Sequence, residues 1–409
     1  MTPRRRAENG PISPEIGPSA VVVAEAERVL RQNWNEGEND RRRFAYTEPS
    51  PGRYPWQWYW DSCFAAIVWR RFEPARARAE LESLLEAQRP NGFVGHTIFW
   101  QEPVTMPRLA FYNVATRSGF LQTETIQPPL LAWAWRIAVG DPREEPRIAA
   151  HMDWLAANRD LEGDGLLWIV QPDESGLDAS PKFEAVWGWR ANGRIGFPLL
   201  VRHNRRLGFD ARRIRERGGP LLCETLVNTM WSLSLQAIGR PSATPALVDR
   251  LWDERRGLFV DEGQPGAIRP GAVTWSSLAP LALPDLPEAI GRRLVDEHLL
   301  NEREFLTPVA PPSVAASEPS YEPDGGHGRI RRYWRGPTWV NSAWMVWLGM
   351  RRLGYTAEAE RLADGVIAAC AREGLREYYD PRTGTGLGAK DFAWSALVAE
   401  MADPDFARP

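Results

Sequence analysis

Residues 20–33 read AVVVAEAERVLRQN. Apolar side chains return there at spacings of three and four, which gathers them on one face of an α-helix. Charged residues fill the gaps, as on a helix that turns one stripe to a core. The same period recurs at 61–71, 75–88, 128–139, 145–157, 223–238, 244–252, 286–299, 337–353, 356–372 and 391–401. Strand-like alternation is confined to short runs, best at 166–170 (LLWIV) and 257–260. Proline and glycine collect between the helical stretches, at Pro51-Gly52, Pro90-Asn91-Gly92, Pro128-Pro129, Gly218-Gly219-Pro220, Pro311-Pro312 and Gly325-Gly326. They read as helix stops and loops.

About eleven or twelve helices follow one another with no low-complexity linker between them. They arrive as hairpins of roughly 50–60 residues, a spacing that predicts an all-α fold, a closed α/α toroid with an open funnel at one end. The open alternative, an α-solenoid, usually shows a clear short repeat, and none is visible. A single domain is expected over 1–409, with residues 1–18 flexible. Segment 300–335 is the longest irregular stretch, and a loop of that length inside a domain is expected to act as a lid that orders over bound substrate.

Composition narrows the function. The 409 residues carry a formal charge of -3, so no global basic field invites nucleic acid. Positive charge is almost all arginine, Lys182 and Lys390 being the only lysines, which reads as a coding bias. Cys63, Cys223 and Cys370 are far apart and odd in number, and the five histidines form no HExxH-type pair. No disulfide framework, metal or cofactor is expected. MTPRRRAENGPISPE at the start has no apolar stretch behind it, and no apolar run reaches membrane length. A cytoplasmic protein is the default, and helix 20–33 could pack on a second copy in a homo-oligomer. The distinctive number is 20 tryptophans, roughly fourfold the usual share. They suit a large aromatic core or a sugar site, since the apolar face of a pyranose stacks on an indole.

Position favours the sugar site. Tyr54-Pro55-Trp56-Gln57-Trp58-Tyr59-Trp60-Asp61-Ser62 places five aromatics in seven positions, beyond what a capping Asp61 needs. Phe99-Trp100-Gln101-Glu102-Pro103 and Thr123-Glu124-Thr125-Ile126-Gln127 offer amides to a polar ligand. Pro172-Asp173-Glu174-Ser175-Gly176-Leu177-Asp178-Ala179-Ser180-Pro181 sets three carboxylates on a Gly/Ser/Pro-framed loop ahead of Trp187-Gly188-Trp189. It lacks the ligand spacing of a calcium loop. Tyr333-Trp334-Arg335-Gly336-Pro337-Thr338-Trp339 and Arg376-Glu377-Tyr378-Tyr379-Asp380 again put charge beside aromatics, each expected to lead into a helix. Glycoside hydrolysis needs two carboxyl groups flanking the anomeric carbon, ~6.5–9.5 Å apart when the reaction inverts. Loops about 200 residues apart can supply such a pair at the mouth of one barrel. An epimerase or lyase on the same fold usually uses His or Tyr as base. A non-catalytic sugar-binding protein would keep the tryptophans and need no carboxyl pair.

YWDS at 59–62, ESGLDASP at 174–181, YWRGPTW at 333–339, EYYDPRTG at 377–384 and FAWSA at 392–396, in this order, resemble the motifs of glycoside hydrolase family 63 and its clan, which includes trehalases. The likeness spans roughly residues 50–400. It is greatest to the compact bacterial branch, the mannosylglycerate and glucosylglycerate hydrolases. The resemblance implies an (α/α)6 barrel and an inverting α-glycosidase, with Asp178 as general acid and Glu377 as general base. It implies that Trp60 and Asp61 hold the sugar and that Tyr333, Trp334, Gly336 and Trp339 line and close the same subsite. Trp187 joins the substrate-binding set, and Tyr54 and Gln101 are the candidates for the glycerate end. An arginine should receive the glycerate carboxylate, with Arg190, Arg202, Arg205 and Arg206 left open. The expected substrate is a small α-glycosyl glycerate, mannosylglycerate first, with glucosylglycerate or a neutral α-glucoside as alternatives. One departure stands out: Gly384 to Asp391 is short and glycine-rich where the family often carries a longer polar segment.

Overall fold

The computed structural model describes residues 17–39, 42–101, 114–115, 121–324 and 333–403. The expected flexible start, 1–18, lies almost wholly outside them.

Two kinds of helix are present, and their burial separates them. Helix α1 (Pro18–Gln32) opens on a proline and buries only Val22, Ala26, Val29 and Leu30. A proline there costs nothing, because the first helical N–H groups have no partner in the helix. Its single stripe is that of an outer helix. Helix α2 (Tyr59–Phe72) is buried without a break from Tyr59 to Trp69, so it is covered on every side. The chain continues through α3 (Pro74–Glu86), α4 (Leu131–Ala138), α5 (Glu145–Arg159), α6 (Gly196–Arg206), α7 (Ala211–Glu216), α8 (Thr225–Ala237) and α9 (Thr244–Leu251). Next come α10 (Glu288–Arg293), α11 (Val340–Arg352), α12 (Thr356–Glu373) and α13 (Val398–Ala402). Helices α8 and α11 share the all-round burial of α2. Helix α2 packs on α4, α4 on α8, and α8 on the 3-10 segment Trp275–Ala282. That segment packs on α11, α11 on the 3-10 segment Ala393–Leu397, and this last returns to α2. Helices α3, α9 and α12 cover α2, α8 and α11 from outside, and α1 covers Ala393–Leu397.

The chain is helix-rich but not all-α. Short strands tie the inter-helix loops together: β1 (Trp34–Asn39), β2 (Arg42–Thr47), β3 (Gln57–Trp58), β4 (Thr97–Phe99), β5 (Val114–Ala115), β6 (Leu121–Thr123), β7 (Trp168–Ile169) and β8 (Leu221–Cys223). The rest are β9 (Trp252–Asp253), β10 (Leu258–Phe259), β11 (Glu262–Gln264), β12 (Arg376–Tyr379) and β13 (Gly386–Lys390). They form small antiparallel sheets in the orders β1-β2, β10-β9, β11-β8-β7, β12-β13 and β3-β4-β6-β5. Most are two or three residues long, too short to show a period of two in the sequence.

Much of the 300–335 stretch is not a free flap. Residues 309–315 are buried. Their backbone is bonded to the body through Val309 N to Pro381 O, Trp275 N to Ser313 O and Ala315 N to Val273 O. Residues 325–332 lie outside the described part. A single connected core runs from Val22 to Met401. Among the described residues no helix is long and apolar enough to cross a membrane.

Candidate active site

Several connections between helices open into one cavity of ≈ 340 Å³, lined among others by Tyr54, Trp60, Asp61, His96, Asp178, Tyr333, Trp334, Glu377 and Trp394. Residues 54–61 lead into α2, 171–184 follow β7, 333–339 lead into α11, and β12 carries Glu377.

Asp178 projects from the loop after β7. Gly176 turns the loop in the left-handed region, φ +72, where a Cβ would come within 2.5 Å of the Trp60 ring. Ala179 follows the carboxylate with φ 64, a conformation that costs a non-glycine residue about 1 kcal/mol. Ion pairs hold both ends. Arg159 and Glu174, both fully buried, bond through two N–H···O contacts of 2.7 and 2.6 Å. Lys182 is buried between Glu224 and Asp261 and donates to Ser276 Oγ at 2.7 Å. Burial opposes the charge on Lys182, but the two carboxylates win and its pKa is raised. The Asp178 side chain is exposed and opens on the cavity. Desolvation by the surrounding walls pushes its carboxyl up to about 6.

Glu377 sits within β12, not ahead of a helix, and is 1 % exposed. Its Oε2 accepts from Ala389 N at 2.8 Å and its Oε1 from Tyr54 Oη at 3.1 Å. Arg53 Nη2 stands 4.0 Å from Oε2. Burial pushes the carboxyl up to about 7; the Ala389 N–H, the Arg53 charge and the Tyr54 hydroxyl pull it down, and Asp178 pushes it up. The short glycine-rich segment 384–391 explains itself here. It folds back as β13, and Gly388, at φ +68, lets the backbone come so close that a Cβ would lie 2.5 Å from Glu377 Oε2.

Aromatic rings make the walls. Trp334 stacks on Trp339 at 4.0 Å and 5°, and Trp339 leans on Tyr378 at 4.6 Å. Trp394 meets Trp60 edge-on at 5.4 Å. Tyr54 and Tyr333 join hydroxyls at 2.6 Å. Asp61 does not cap a helix starting at 62; α2 begins at Tyr59 and Asp61 lies in its first turn. It is buried on the cavity wall, and burial raises its pKa well above the usual range.

The structure thus brings Tyr54, Trp60, Asp61, Asp178, Tyr333, Trp334 and Glu377 to one cavity. Four expected residues stand off its lining. Trp339 is the layer behind Trp334. Gly336 is a backbone contact, since a Cβ there would strike the main chain of Glu322 at 2.5 Å. Trp187 is buried beside Phe183, ring centroids 5.8 Å apart. Gln101 is exposed and donates to Asn35 at 3.3 Å. Arg190, Arg202, Arg205 and Arg206 are exposed and also off the lining.

A sequence profile described as the mannosylglycerate hydrolase MGH1-like glycoside hydrolase domain matches residues 54–244 and 237–395. The chain belongs to this family. It is a glycoside hydrolase, and the resemblance read from its five motifs is borne out. A mannosylglycerate hydrolase of Rubrobacter radiotolerans is 30% identical, over 96% of this chain and 98% of that one. A glucosylglycerate hydrolase of Mycolicibacterium hassiacum is 25% identical, over 86% and 92%. The crystal structure of a GH63 mannosylglycerate hydrolase from Thermus thermophilus in complex with Tris superposes with TM-score 0.77 at 27% identity, covering 93% of this chain and 99% of that chain. That enzyme is also known in complex with Tris and D-glycerate, and with glucose.

The family's hydrolytic chemistry sets aside the lyase, epimerase and binding-only readings. Several wall residues had escaped the sequence reading. His96 and Thr97 are buried on the wall, and His96 Nδ1, 3.9 Å from Asp173 Oδ2, and Thr97 Oγ1 make no hydrogen bond. Burial pushes His96 down to about 3, so it is a neutral imidazole. Trp58, Gln127, Asp173, Phe392 and Trp394 belong to quoted motifs; Phe197 carried no signal at all, nor did Arg53, which stands off the lining beside Glu377. Among the described residues no cluster of His, Cys, Asp and Glu has the makings of a metal site.

Proposed function

We propose that the chain hydrolyses an α-glycosyl glycerate with inversion, mannosylglycerate first, within a single (α/α)6-barrel domain in the cytoplasm. The ring of packed segments from α2 round to Ala393–Leu397 supports the barrel. The reading rests chiefly on one observation: Asp178 and Glu377, some 200 residues apart, line one aromatic cavity, the first open to it and the second buried in its wall, and both carboxyls are raised above their ordinary values. Asp178, when protonated, gives its proton to the glycosidic oxygen. Glu377, when ionised, takes a proton from the water that attacks the anomeric carbon. Trp60, Trp334 and Trp394 present faces to the pyranose, and the orphaned atoms of His96 and Thr97 offer partners to its hydroxyls. The Rubrobacter and Thermus relatives support a mannosyl substrate. The Mycolicibacterium relative supports glucosylglycerate as the second reading.

Proton NMR of the protein with α-mannosylglycerate, and separately with α-glucosylglycerate, tests this from the first minutes. The β-anomer of the sugar should appear before mutarotation spreads it. Early α-sugar would mean retention and overturn the roles of both carboxyls. Release from neutral α-glucosides alone would remove glycerate from the proposal.

A further inference from the structure

Asp178 and Glu377 lie about 200 residues apart in sequence, yet one five-residue segment touches the backbone beside both. At its start, Trp334 N donates to Asp178 O at 3.3 Å and Arg335 Nε donates to Ala179 O at 2.7 Å. At its end, Thr338 exchanges two hydrogen bonds with Tyr379, each 2.9 Å, on the strand that carries Glu377. Its middle is anchored by Glu322 N to Arg335 O at 2.6 Å and by Gly336 N to Ser313 Oγ at 2.9 Å. Resting on the acid and base roles proposed above, we infer that Trp334–Thr338 is a strut that sets the spacing of the two carboxyls, and that Arg335 is the positioning residue at its acid end.

The local backbone shows why Arg335 is needed. Ser180 N bonds Leu177 O at 3.0 Å, closing a turn with Asp178 and Ala179 at its centre. Ala179 occupies the position where φ is positive and glycine is preferred. Left alone, an alanine there would relax toward negative φ and swing the preceding carboxylate. The guanidinium of Arg335, 7 % exposed, bonds the Ala179 carbonyl with one nitrogen and pairs with Glu184 through another. The turn is thereby fixed in its left-handed form, aimed by a group that never meets the substrate.

A positioning role for the acid has a signature that a general structural role lacks. α-Mannosyl fluoride has a leaving group that needs little protonation, whereas glycerate leaves as an alkoxide unless an acid assists it. In R335M, kcat on mannosylglycerate should fall by about a hundredfold, the scale of a misplaced catalytic group, while turnover of α-mannosyl fluoride stays within about threefold. R335K, which can still reach the Ala179 carbonyl, should recover part of the loss, and A179V, β-branched at a left-handed site, should reproduce it. D178N is the control for the acid itself. If D178N hydrolyses mannosylglycerate normally, the acid assignment falls first. If D178N shows the selective loss but R335M and A179V lose both substrates equally, or neither, the strut has no aiming role and the inference is overturned. Should R335M fail to fold, the same comparison with R335K and A179V decides.

Discussion

Glu377 is held in a backbone cradle that only glycine can line. Replacing Gly388 by alanine drives a methyl group against Oε2. The carboxylate must turn away from Ala389 N, so kcat should fall about tenfold or more with a smaller change in KM, by steady-state kinetics. The same carboxyl is costly to the fold when ionised. Its folded pKa of about 7 lies above that of an unfolded glutamate, so stability is fully present below the unfolded value and lost as pH rises through 7. Above that, the penalty is about 3 kcal/mol. E377Q should therefore abolish turnover, raise Tm at pH 8 and leave Tm at pH 4 nearly unchanged, as read by calorimetry. On the proposed roles, activity needs one proton shared correctly: on Asp178, off Glu377. Asp178 at about 6 and Glu377 at about 7 repel each other, so these values belong to the pair. Between them the pair holds one proton, and below or above it holds two or none. The profile of kcat/KM against pH should be a bell centred between 6 and 7.

At the scale of elements, the loop after β7 depends on buried charge. Arg159 is the cation that Glu174 has inside the protein, and Glu174 also accepts from Ile126 N and Val170 N. R159M leaves that carboxylate buried and unpaired, which should cost about 3–5 kcal/mol in urea unfolding. The elements themselves were legible unevenly. Helices with a long apolar stripe or full burial, such as α1, α2 and α12, stood in the sequence within a few residues of their ends. Helix α6 did not: it buries only Gly196, Leu200, Val201 and Asn204, and arginines crowd the rest. Of the strands, β7 and β10 fall within the two runs read as strand-like, 166–170 and 257–260, whereas the four residues of β12 showed no such pattern, which is why Glu377 was expected before a helix. The site followed the same rule. Residues in loops of mixed charge and aromatics were found. Arg53 and Phe197 were not, since only tertiary structure brings Arg53 beside Glu377 and Phe197 to the cavity wall. Gln101 shows the converse, a polar residue in a suggestive loop that points elsewhere.

At the scale of the molecule, charge is unevenly spread. Segment 189–217 holds nine arginines against Asp210 and Glu216, a local charge of +7 on a chain of -3. It flanks Phe197 on the cavity wall. An anionic glycoside should meet this field before it meets the site, so its kcat/KM should fall about threefold to tenfold between about 20 and 300 mM salt while kcat holds. R202E/R206E should flatten that dependence, and a neutral α-glycoside should show none. The two lysines are as unevenly placed. Lys182 is locked inside with its carboxylates, whereas Lys390 ends β13 in solvent, one residue past the N–H that holds Glu377. Besides the α-amino group, an amine-reactive dye therefore finds a single address, and it lies beside the reaction centre: the wild-type chain comes ready for a fluorescent reporter of substrate arrival, with no cysteine to engineer.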